Sequence, residues 1–337
     1  MLRRPSGPGR AAALVLALVA ALLTAGGGTA VAAPAPGARV VSAVPHGPSE
    51  IRLRVFSPAM GTTLPVTLLL PRGWAHGGTF PTLYALGGMD EVDDRAWTRL
   101  TDLPAFAAAH DALVVLPPTS KGGMFSDWFA PGPHWETFDT VELPALIRAE
   151  FRGGARQAVM GISVGGHAAL KFAAHQPGAW AAAASFSGIP YSSAPGVSAL
   201  YEKSMADAGV DPKAPWGDPV AQSGVWAAQD PANGMGNLRG TAVFVSASSG
   251  VPTPARLAGD PGQVLRDPPG ALGRATGGSS IESVAFSTSV RFAQEARAAG
   301  VAVTSDFPAT GIHDWPFWSA EYKKAWPMIA AALGIPA

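Results

Sequence analysis

The chain has 337 residues, with 24 basic residues, 24 acidic residues and no cysteine. The formal net charge of zero and the lack of a basic cluster argue against a nucleic-acid-binding surface and against a polybasic membrane-binding segment. The absence of cysteine excludes a thiol nucleophile and a cysteine-ligated metal, and a chain of this length is stable without disulfides.

The N-terminus has the pattern of a secretory signal peptide. Three arginines precede an uncharged apolar run from 11 to 25, and small residues suited to cleavage follow. The run is short for a membrane span, so we expect a signal peptide over 1–32; a retained signal anchor is the alternative. Residues 33–48, rich in Pro, Ala and Gly, are expected to be a flexible lead-in. The mature protein is then secreted or cell-wall associated, with no stable membrane span.

The remaining chain, 49–337, is predicted to be one α/β domain. Residues 51–56 and 64–70 favour an antiparallel hairpin. Beyond them, short apolar strands alternate with helices, which indicates a mainly parallel central sheet flanked by helices. The predicted strands are 82–86, 112–116, 157–160, 182–186, 241–246 and 301–305. The predicted helices are 99–110, 140–151, 164–176, 282–299 and 320–333.

Two longer segments interrupt this alternation. Residues 190–240 contain four aromatic side chains, Tyr191, Tyr201, Trp216 and Trp226, and we expect them to form a packed cap or loop insertion over the site. Residues 247–280 are rich in Gly, Pro and Ser, which favours a mobile surface loop.

The run Gly161-Ile162-Ser163-Val164-Gly165 has the form G-x-S-x-G and joins a predicted strand to a predicted helix. A serine on such a sharp turn projects its hydroxyl above the sheet, and the N–H of the next residue, Val164, points to a developing oxyanion. This motif at a strand end, behind an antiparallel start, indicates an α/β-hydrolase fold with Ser163 as the nucleophile.

A serine nucleophile needs a base, normally histidine. In the α/β-hydrolase order, the acid and then the histidine follow the serine. Four of the seven histidines precede Ser163, and His167 and His175 lie on the helix after it. Only His313 comes late enough, in a loop behind the last predicted strand.

The acid has several candidates on topology alone. Asp260, Asp267, Glu282 and Glu295 lie between the last two predicted strands, and Asp306 follows the last one. Glu295 falls within an amphipathic helix and is expected to face water. Glu282 is predicted to begin that helix, where a carboxylate stays ionised, although an ordinary acid at a helix start is an equal alternative.

Several segments, in order, resemble the antigen 85 mycolyltransferases and their secreted esterase relatives. They are Ser126-Asp127-Trp128, Trp135-Glu136-Thr137-Phe138, Glu142-Leu143-Pro144, Trp216-Gly217, Trp226, Asp230-Pro231 and Gly311-Ile312-His313-Asp314-Trp315-Pro316-Phe317-Trp318. The resemblance covers roughly residues 50 to 334. It implies an α/β-hydrolase with a Ser–Glu–His triad that forms an acyl-enzyme and passes the acyl group to a sugar hydroxyl.

Carried over to this chain, the family's nucleophile falls on Ser163, its base on His313 and its acid on Glu282. The oxyanion donors implied by the resemblance are the backbone N–H groups of Met89 and Val164. The mechanism requires no metal and no cofactor.

The loop at Gly87-Gly88-Met89-Asp90 departs from the family. The aspartate and the arginine that relatives associate with trehalose are replaced by Gly87 and Asp90. Arginine only donates hydrogen bonds and a carboxylate only accepts them, so the trehalose acceptor does not carry over. Candidates for substrate contact are Asp90, Trp128, Trp216, Trp226, Trp315 and Trp318, with core packing as the alternative for the tryptophans.

The leading hypothesis is a secreted serine esterase or acyltransferase acting on lipid or glycolipid esters, with a cell-wall sugar as a candidate acceptor. One alternative keeps the triad in a secreted carbohydrate esterase of the feruloyl or acetyl type. Another is a non-catalytic adhesion protein on the same scaffold, which predicts a disrupted triad.

Overall fold

A nine-stranded sheet runs through the protein. The computed structural model describes residues 37–89, 94–119, 122–253 and 268–337. The strands of the sheet, in chain order, are β1 Arg39–Pro45, β2 Glu50–Ser57, β3 Thr62–Leu69, β4 Phe80–Leu86, β5 Leu113–Leu116, β6 Gly153–Ile162, β7 Ala182–Phe186, β8 Ala242–Ser246 and β9 Val303–Asp306. The strands from β4 to β8 are largely buried, as expected for apolar strands that are covered on both faces.

The spatial order of the strands is β1-β2-β3-β5-β4-β6-β7-β8-β9. β1, β2, β3 and β5 pair antiparallel, which includes the predicted hairpin, and β5, β4 and β6 to β9 pair parallel. After β4 the chain adds β5 on one side of it. It then adds β6 on the other side and continues in that direction to β9, so the strand order reverses between β4 and β6. Ligands of open α/β sheets bind at the carboxyl ends of the strands beside such a reversal. The sheet topology therefore points to the carboxyl ends of β4 and β6.

The predicted flexible lead-in over 33–48 was wrong for residues 39–45. These residues form β1, which pairs with β2 along its length at the edge of the sheet. The sequence Arg39-Val40-Val41-Ser42-Ala43-Val44-Pro45 supplies β-branched residues, and the free edge of β2 supplies the hydrogen-bond partners that the composition of the segment did not reveal. The predicted signal peptide over 1–32 lies outside the described residues.

Helices cover both faces of the sheet. They are α1 Ala96–Leu100, α2 Leu103–Ala109, α3 Trp135–Thr137, α4 Leu143–Glu150, α5 Val164–His175, α6 Val197–Asp207, α7 Lys213–Trp216, α8 Ser223–Gln229, α9 Pro268–Ala298 and α10 Trp315–Leu333, with a π-helical turn at Phe138–Glu142 and short 3-10 helices at Trp74–His76 and Met235–Leu238. α1, α2 and α10 pack on one face, and α4, α5 and α9 pack on the other. No helix in these described ranges has the length and apolar character needed to cross a membrane.

One predicted helix and one predicted loop differ from the structure. The predicted helix over 99–110 is divided at Thr101, whose backbone is extended before α2 begins with Leu103-Pro104. The predicted mobile loop over 247–280 was wrong for residues 268–280, which form the first turns of α9. Gly277 and Gly278 weaken a helix by propensity alone, which is why the sequence pattern did not predict this part of α9.

The insertion at 190–240 is folded, as its aromatic content predicts. α6, α7 and α8 occupy it, and the rings of Trp216 and Trp226 meet edge to face at 5.0 Å between centroids. Both rings are completely buried.

A buried ammonium group ties this insertion to the helix behind the G-x-S-x-G motif. Lys171, on α5, has no exposed surface. Its Nζ donates to Ser126 Oγ at 2.8 Å and to Gln229 Oε1 at 2.9 Å, and it lies 3.1 Å from Glu136 Oε2. His175, one turn further along α5, contacts the same carboxylate through Nδ1 at 2.6 Å. The Ser126 and Glu136 segments are therefore held against α5 by one polar network.

We expect Glu136→Gln to lower the free energy of unfolding by about 3 to 5 kcal/mol, because it removes the carboxylate that is in direct contact with the buried Lys171 ammonium. Urea titration measures the loss. The control is Lys203→Met, which breaks the exposed Lys203–Asp207 ion pair and costs less than about 1 kcal/mol. Equal losses for the two variants would contradict the stabilising role of the buried pair.

The stabilisation of the fold by the Glu136 carboxylate also depends on pH. Burial by itself raises the pKa of Glu136, but Lys171 and His175 more than offset this and lower it to about 2, from an ordinary value of 4.5. Because the folded-state pKa lies below the unfolded one, the stabilisation is present above pH 4.5 and is lost as the pH falls toward 2. The difference between wild type and Glu136→Gln should therefore narrow between about pH 5 and about pH 2.5.

Candidate active site

The G-x-S-x-G segment forms a tight turn from β6 into α5, with Ser163 in a strained conformation, φ 53° and ψ −123°. Its two glycines are required by close contacts. A Cβ on Gly161 would lie 2.2 Å from the Gly165 carbonyl oxygen, and a Cβ on Gly165 would lie 2.4 Å from the Gly87 carbonyl oxygen. Any side chain at either position would push α5 away from the sheet, so the motif's spacing has a steric cause.

Three side chains that are distant in sequence meet at this turn. His313 Nε2 lies 2.8 Å from Ser163 Oγ, and His313 Nδ1 lies 2.8 Å from Glu282 Oε2. A carboxylate only accepts hydrogen bonds, so Nδ1 carries the proton and the Nε2 lone pair faces the serine hydroxyl. This arrangement can take a proton from the hydroxyl and stabilise the imidazolium that forms.

His313 lies in the loop between β9 and α10, and this loop is fixed on both sides. The His313 N–H donates to the Gly278 carbonyl of α9 at 3.2 Å, and the Gly311 N–H donates to the Val251 carbonyl at 2.7 Å. Asp314 then caps α10 by accepting from the Phe317 N–H at 3.2 Å. The backbone around His313 is therefore held before any substrate arrives.

Glu282 is completely buried, and its position differs from the prediction. It lies well inside α9 and not at the start of a helix, so the helix terminus does not stabilise its charge. Neutral donors do this instead. Glu282 Oε1 accepts from the Ser248 N–H at 2.6 Å, from Ser187 Oγ at 2.9 Å and from Ser248 Oγ at 3.1 Å.

The other acid candidates do not reach His313 in the described structure. Glu295 is bound to Arg291 at 2.8 Å and to Tyr191 on the surface of α9. Asp306 pairs with Lys324 of α10. Asp260 and Asp267 lie outside the described residues.

The two histidines on α5 have other partners. His167 is completely buried, with Nδ1 2.9 Å from the Ile189 carbonyl oxygen. Burial lowers the pKa of His167 to about 3, so this imidazole is neutral at ordinary pH. His175 belongs to the Lys171 network.

The loop after β4 lies beside the serine. A Cβ built on Gly88 would be 3.9 Å from Ser163 Cβ, so the Gly87-Gly88-Met89 backbone runs directly past the turn. Val164 is the first residue of α5, and its N–H has no acceptor within that helix. The predicted oxyanion residues thus flank Ser163 from two strand ends.

The predicted substrate-contact residues are in different environments. Trp216 and Trp226 are completely buried and donate to Ser126 Oγ and to the Gly217 carbonyl, which places them in the core and not on a groove. Trp128 and Trp315 are partly buried, and Trp315 packs edge to face on Trp97 at 5.2 Å. Asp90 lies outside the described residues.

Sequence reasoning missed Ser187 and Ser248, the two serines that bind Glu282. Each follows the carboxyl end of a predicted strand, β7 or β8, and neighbouring parallel strands end at the same edge of a sheet. Their place at two neighbouring strand ends is the sequence signal that indicates a shared site.

Known proteins resemble this chain over most of its length. The diacylglycerol acyltransferase/mycolyltransferase Ag85A of Mycobacterium tuberculosis is 29% identical, covering 94% of this chain and 89% of the relative. The crystal structure of M. tuberculosis MPT51 (FbpC1) superimposes with a TM-score of 0.69 at 26% identity, covering 83% of this chain and 97% of MPT51.

A more distant structure shares the fold. FphF, a fluorophosphonate-binding serine hydrolase of Staphylococcus aureus, superimposes with a TM-score of 0.62 at 16% identity, covering 85% of this chain and 98% of FphF. These structures share the α/β-hydrolase fold of the protein. The Ag85A relative places it among enzymes of the esterase and acyltransferase group.

A family model described as "Putative esterase" matches residues 57–327, from the end of β2 into α10. This range contains Ser163, Glu282 and His313 together with the strands that position them. The chain therefore belongs to the Esterase family.

Proposed function

We propose that the protein is a secreted serine esterase or acyltransferase in which Ser163 is the nucleophile, His313 the base and Glu282 the acid. The observation that carries the proposal is the continuous hydrogen-bonded chain from Ser163 Oγ through both imidazole nitrogens to the buried Glu282 carboxylate. The strained backbone at Ser163 supports it, since such strain is retained mainly where function requires it.

The reaction proceeds in two stages. His313 Nε2 accepts the hydroxyl proton as Ser163 Oγ attacks the ester carbonyl, and Glu282 stabilises the imidazolium. The N–H groups of Met89 and Val164 stabilise the oxyanion, and each such donor contributes about 3 kcal/mol in comparable sites. The intermediate collapses as His313 returns the proton to the departing alcohol, which leaves the acyl group on Ser163. Water or another hydroxyl then repeats the sequence and releases the acyl group.

The substrate class we propose is an acyl ester of a lipid or glycolipid. The name of the M. tuberculosis relative, diacylglycerol acyltransferase/mycolyltransferase, supports a lipid acyl donor. A cell-wall sugar hydroxyl is the proposed acceptor for transfer. Trehalose is not favoured, because Gly87 and Asp90 stand where antigen 85 proteins have an aspartate and an arginine. The basic and apolar leader over 1–32 supports export.

We expect Ser163→Ala to lower kcat for a short nitrophenyl ester by at least about 10⁴-fold, because it removes the hydroxyl that is hydrogen-bonded to His313 Nε2. The thermal midpoint should change little, since Ala removes one partly exposed oxygen. Steady-state kinetics and thermal melting measure both. Thr241→Val is the control, because it removes a buried hydroxyl that binds the Trp180 carbonyl at the other end of β8. Retained activity or retained fluorophosphonate labelling in Ser163→Ala would refute the assignment.

We expect Glu282→Gln to lower kcat by about 10³- to 10⁴-fold, because a neutral amide neither fixes the imidazole tautomer nor stabilises the imidazolium. Asp306→Asn is the matched control. It removes an acid at the end of β9 that binds Lys324, and it should change kcat by no more than about twofold. If Asp306→Asn proved the more damaging change, the acid would have to be reassigned.

Hydrolysis and transfer share the acyl-enzyme, so the acceptor decides between them. We expect the purified protein, given an acyl donor with glycerol, arabinogalactan or trehalose, to form at least one acylated acceptor, with trehalose the poorest. Mass spectrometry of the products, with Ser163→Ala as the blank, makes the comparison. Free fatty acid as the only product with every acceptor would restrict the function to hydrolysis.

A further inference from the structure

The carboxylate of Glu282 is held by hydrogen bonds that are separate from its bond to His313. All of them reach Oε1, from Ser187 Oγ, the Ser248 N–H and Ser248 Oγ, whereas Oε2 is left for His313 Nδ1. We propose that Ser187 and Ser248 are positioning residues of the reaction, acting through Glu282. The inference rests on the proposed function, in which Glu282 orients His313.

The need for such positioning follows from the glutamate side chain. The last torsion of Glu, which turns the carboxylate about its own axis, has only a broad and shallow preference. Rotation would move Oε2 out of line with His313 Nδ1 without any change in the helix. Donors fixed on Oε1 prevent that rotation, and they also satisfy a charge that has no exposed surface.

Ser187 is a directed donor. Its hydroxyl accepts a hydrogen bond from Trp318 Nε1 at 2.9 Å, and its single proton is therefore free to point to Glu282 Oε1. Its backbone is held as well, with φ 55° and an N–H that donates to the Ser246 carbonyl at 2.7 Å. The residue is completely buried, so water does not compete for the hydroxyl.

Trp318 connects two of the three residues that bind Glu282, Ser187 and His313. Its indole N–H binds Ser187, and its ring meets the imidazole of His313 edge to face at 5.0 Å between centroids. The four side chains of Glu282, Ser187, Trp318 and His313 thus form a closed circuit of contacts. A shift of the imidazole would disturb the same indole that orients the serine.

Ser248 fixes the second side of Oε1. Its N–H makes the shortest of the three hydrogen bonds to Oε1, at 2.6 Å, and its hydroxyl oxygen lies 3.1 Å from the same atom. The residue also touches the loop that carries His313, because a Cβ at Gly311, where φ is 142°, would lie 2.5 Å from Ser248 Oγ. Ser248 therefore joins the end of β8, the acid and the histidine loop.

The test compares Ser187→Ala and Ser248→Ala with Thr241→Val, which also loses one buried hydroxyl bond but has no contact with the triad. We expect Ser187→Ala to lower kcat by about tenfold to a hundredfold, as for a hydrogen bond to a charged group, with KM nearly unchanged. Ser248→Ala should cost less, because its backbone N–H remains. Thr241→Val should leave kcat within about twofold.

A double-mutant cycle separates positioning from general stability. Glu282→Ala removes the carboxylate, so adding Ser187→Ala to it should cause no further loss in the rate of fluorophosphonate labelling at Ser163. Additive losses, or a kcat of Ser187→Ala equal to that of wild type, would overturn the inference. If Ser187→Ala fails to fold, Trp318→Phe provides the same comparison, because it removes the N–H that directs the hydroxyl and keeps an aromatic ring.

The result is distinguishable from failure of the proposed function. If the wild-type protein neither reacts with fluorophosphonate nor hydrolyses an ester, the proposed function is refuted. If the wild-type protein reacts and its Ser187 and Ser248 variants react at the same rate, only the positioning role of these two serines is refuted.

Discussion

The turn at Ser163 is the constraint on which the rest of the site depends. β6 ends and α5 begins within one residue, so the backbone at Ser163 takes a conformation that an L-residue adopts only under restraint. The restraint comes from close packing of Gly161 on Gly165 and of Gly165 on Gly87. Because these contacts leave no room for a side chain, they fix the distance between α5 and the sheet. They also hold the loop after β4 beside the serine hydroxyl.

The carboxyl ends of the parallel strands assemble the rest of the site around this turn. Met89 follows β4, Ser163 follows β6, Ser187 follows β7, Ser248 follows β8 and His313 lies beyond β9. Each strand pairs in parallel with its neighbour, so all five loops emerge at one edge of the sheet. Glu282 comes from the interior of a helix, and α9 must pack on the sheet to bring it there.

Two buried charged groups near α5 are stabilised in different ways. Lys171 is opposed by a carboxylate, Glu136, and the pair joins α5 to the segments around it. Glu282 has no cation beside it in the described structure and is satisfied by two serines, a backbone N–H and His313. In the proposed reaction, a fixed cation next to Glu282 would compete with the His313 imidazolium for the carboxylate, whereas neutral donors leave the negative charge available to His313. The first arrangement suits a structural anchor and the second suits an acid that orients a base.

The amino-acid sequence was sufficient to predict the α/β-hydrolase fold and the order of the parallel strands along the chain, because these depend on local patterns. His313 was selected as the partner of Ser163 by its place late in the chain, and packing of the distant segments brings the two side chains together. Apolar runs identify strands that are buried on both faces, and the glycine spacing identifies the strained turn. Glu282 was proposed on the family resemblance and on a helix start that the structure does not contain, and β1 was taken for a flexible segment. Ser187, Ser248 and the burial of Trp216 and Trp226 depend on contacts between segments distant in the chain. Only tertiary packing decides such contacts, since no local pattern records which strand end or helix face a side chain will meet.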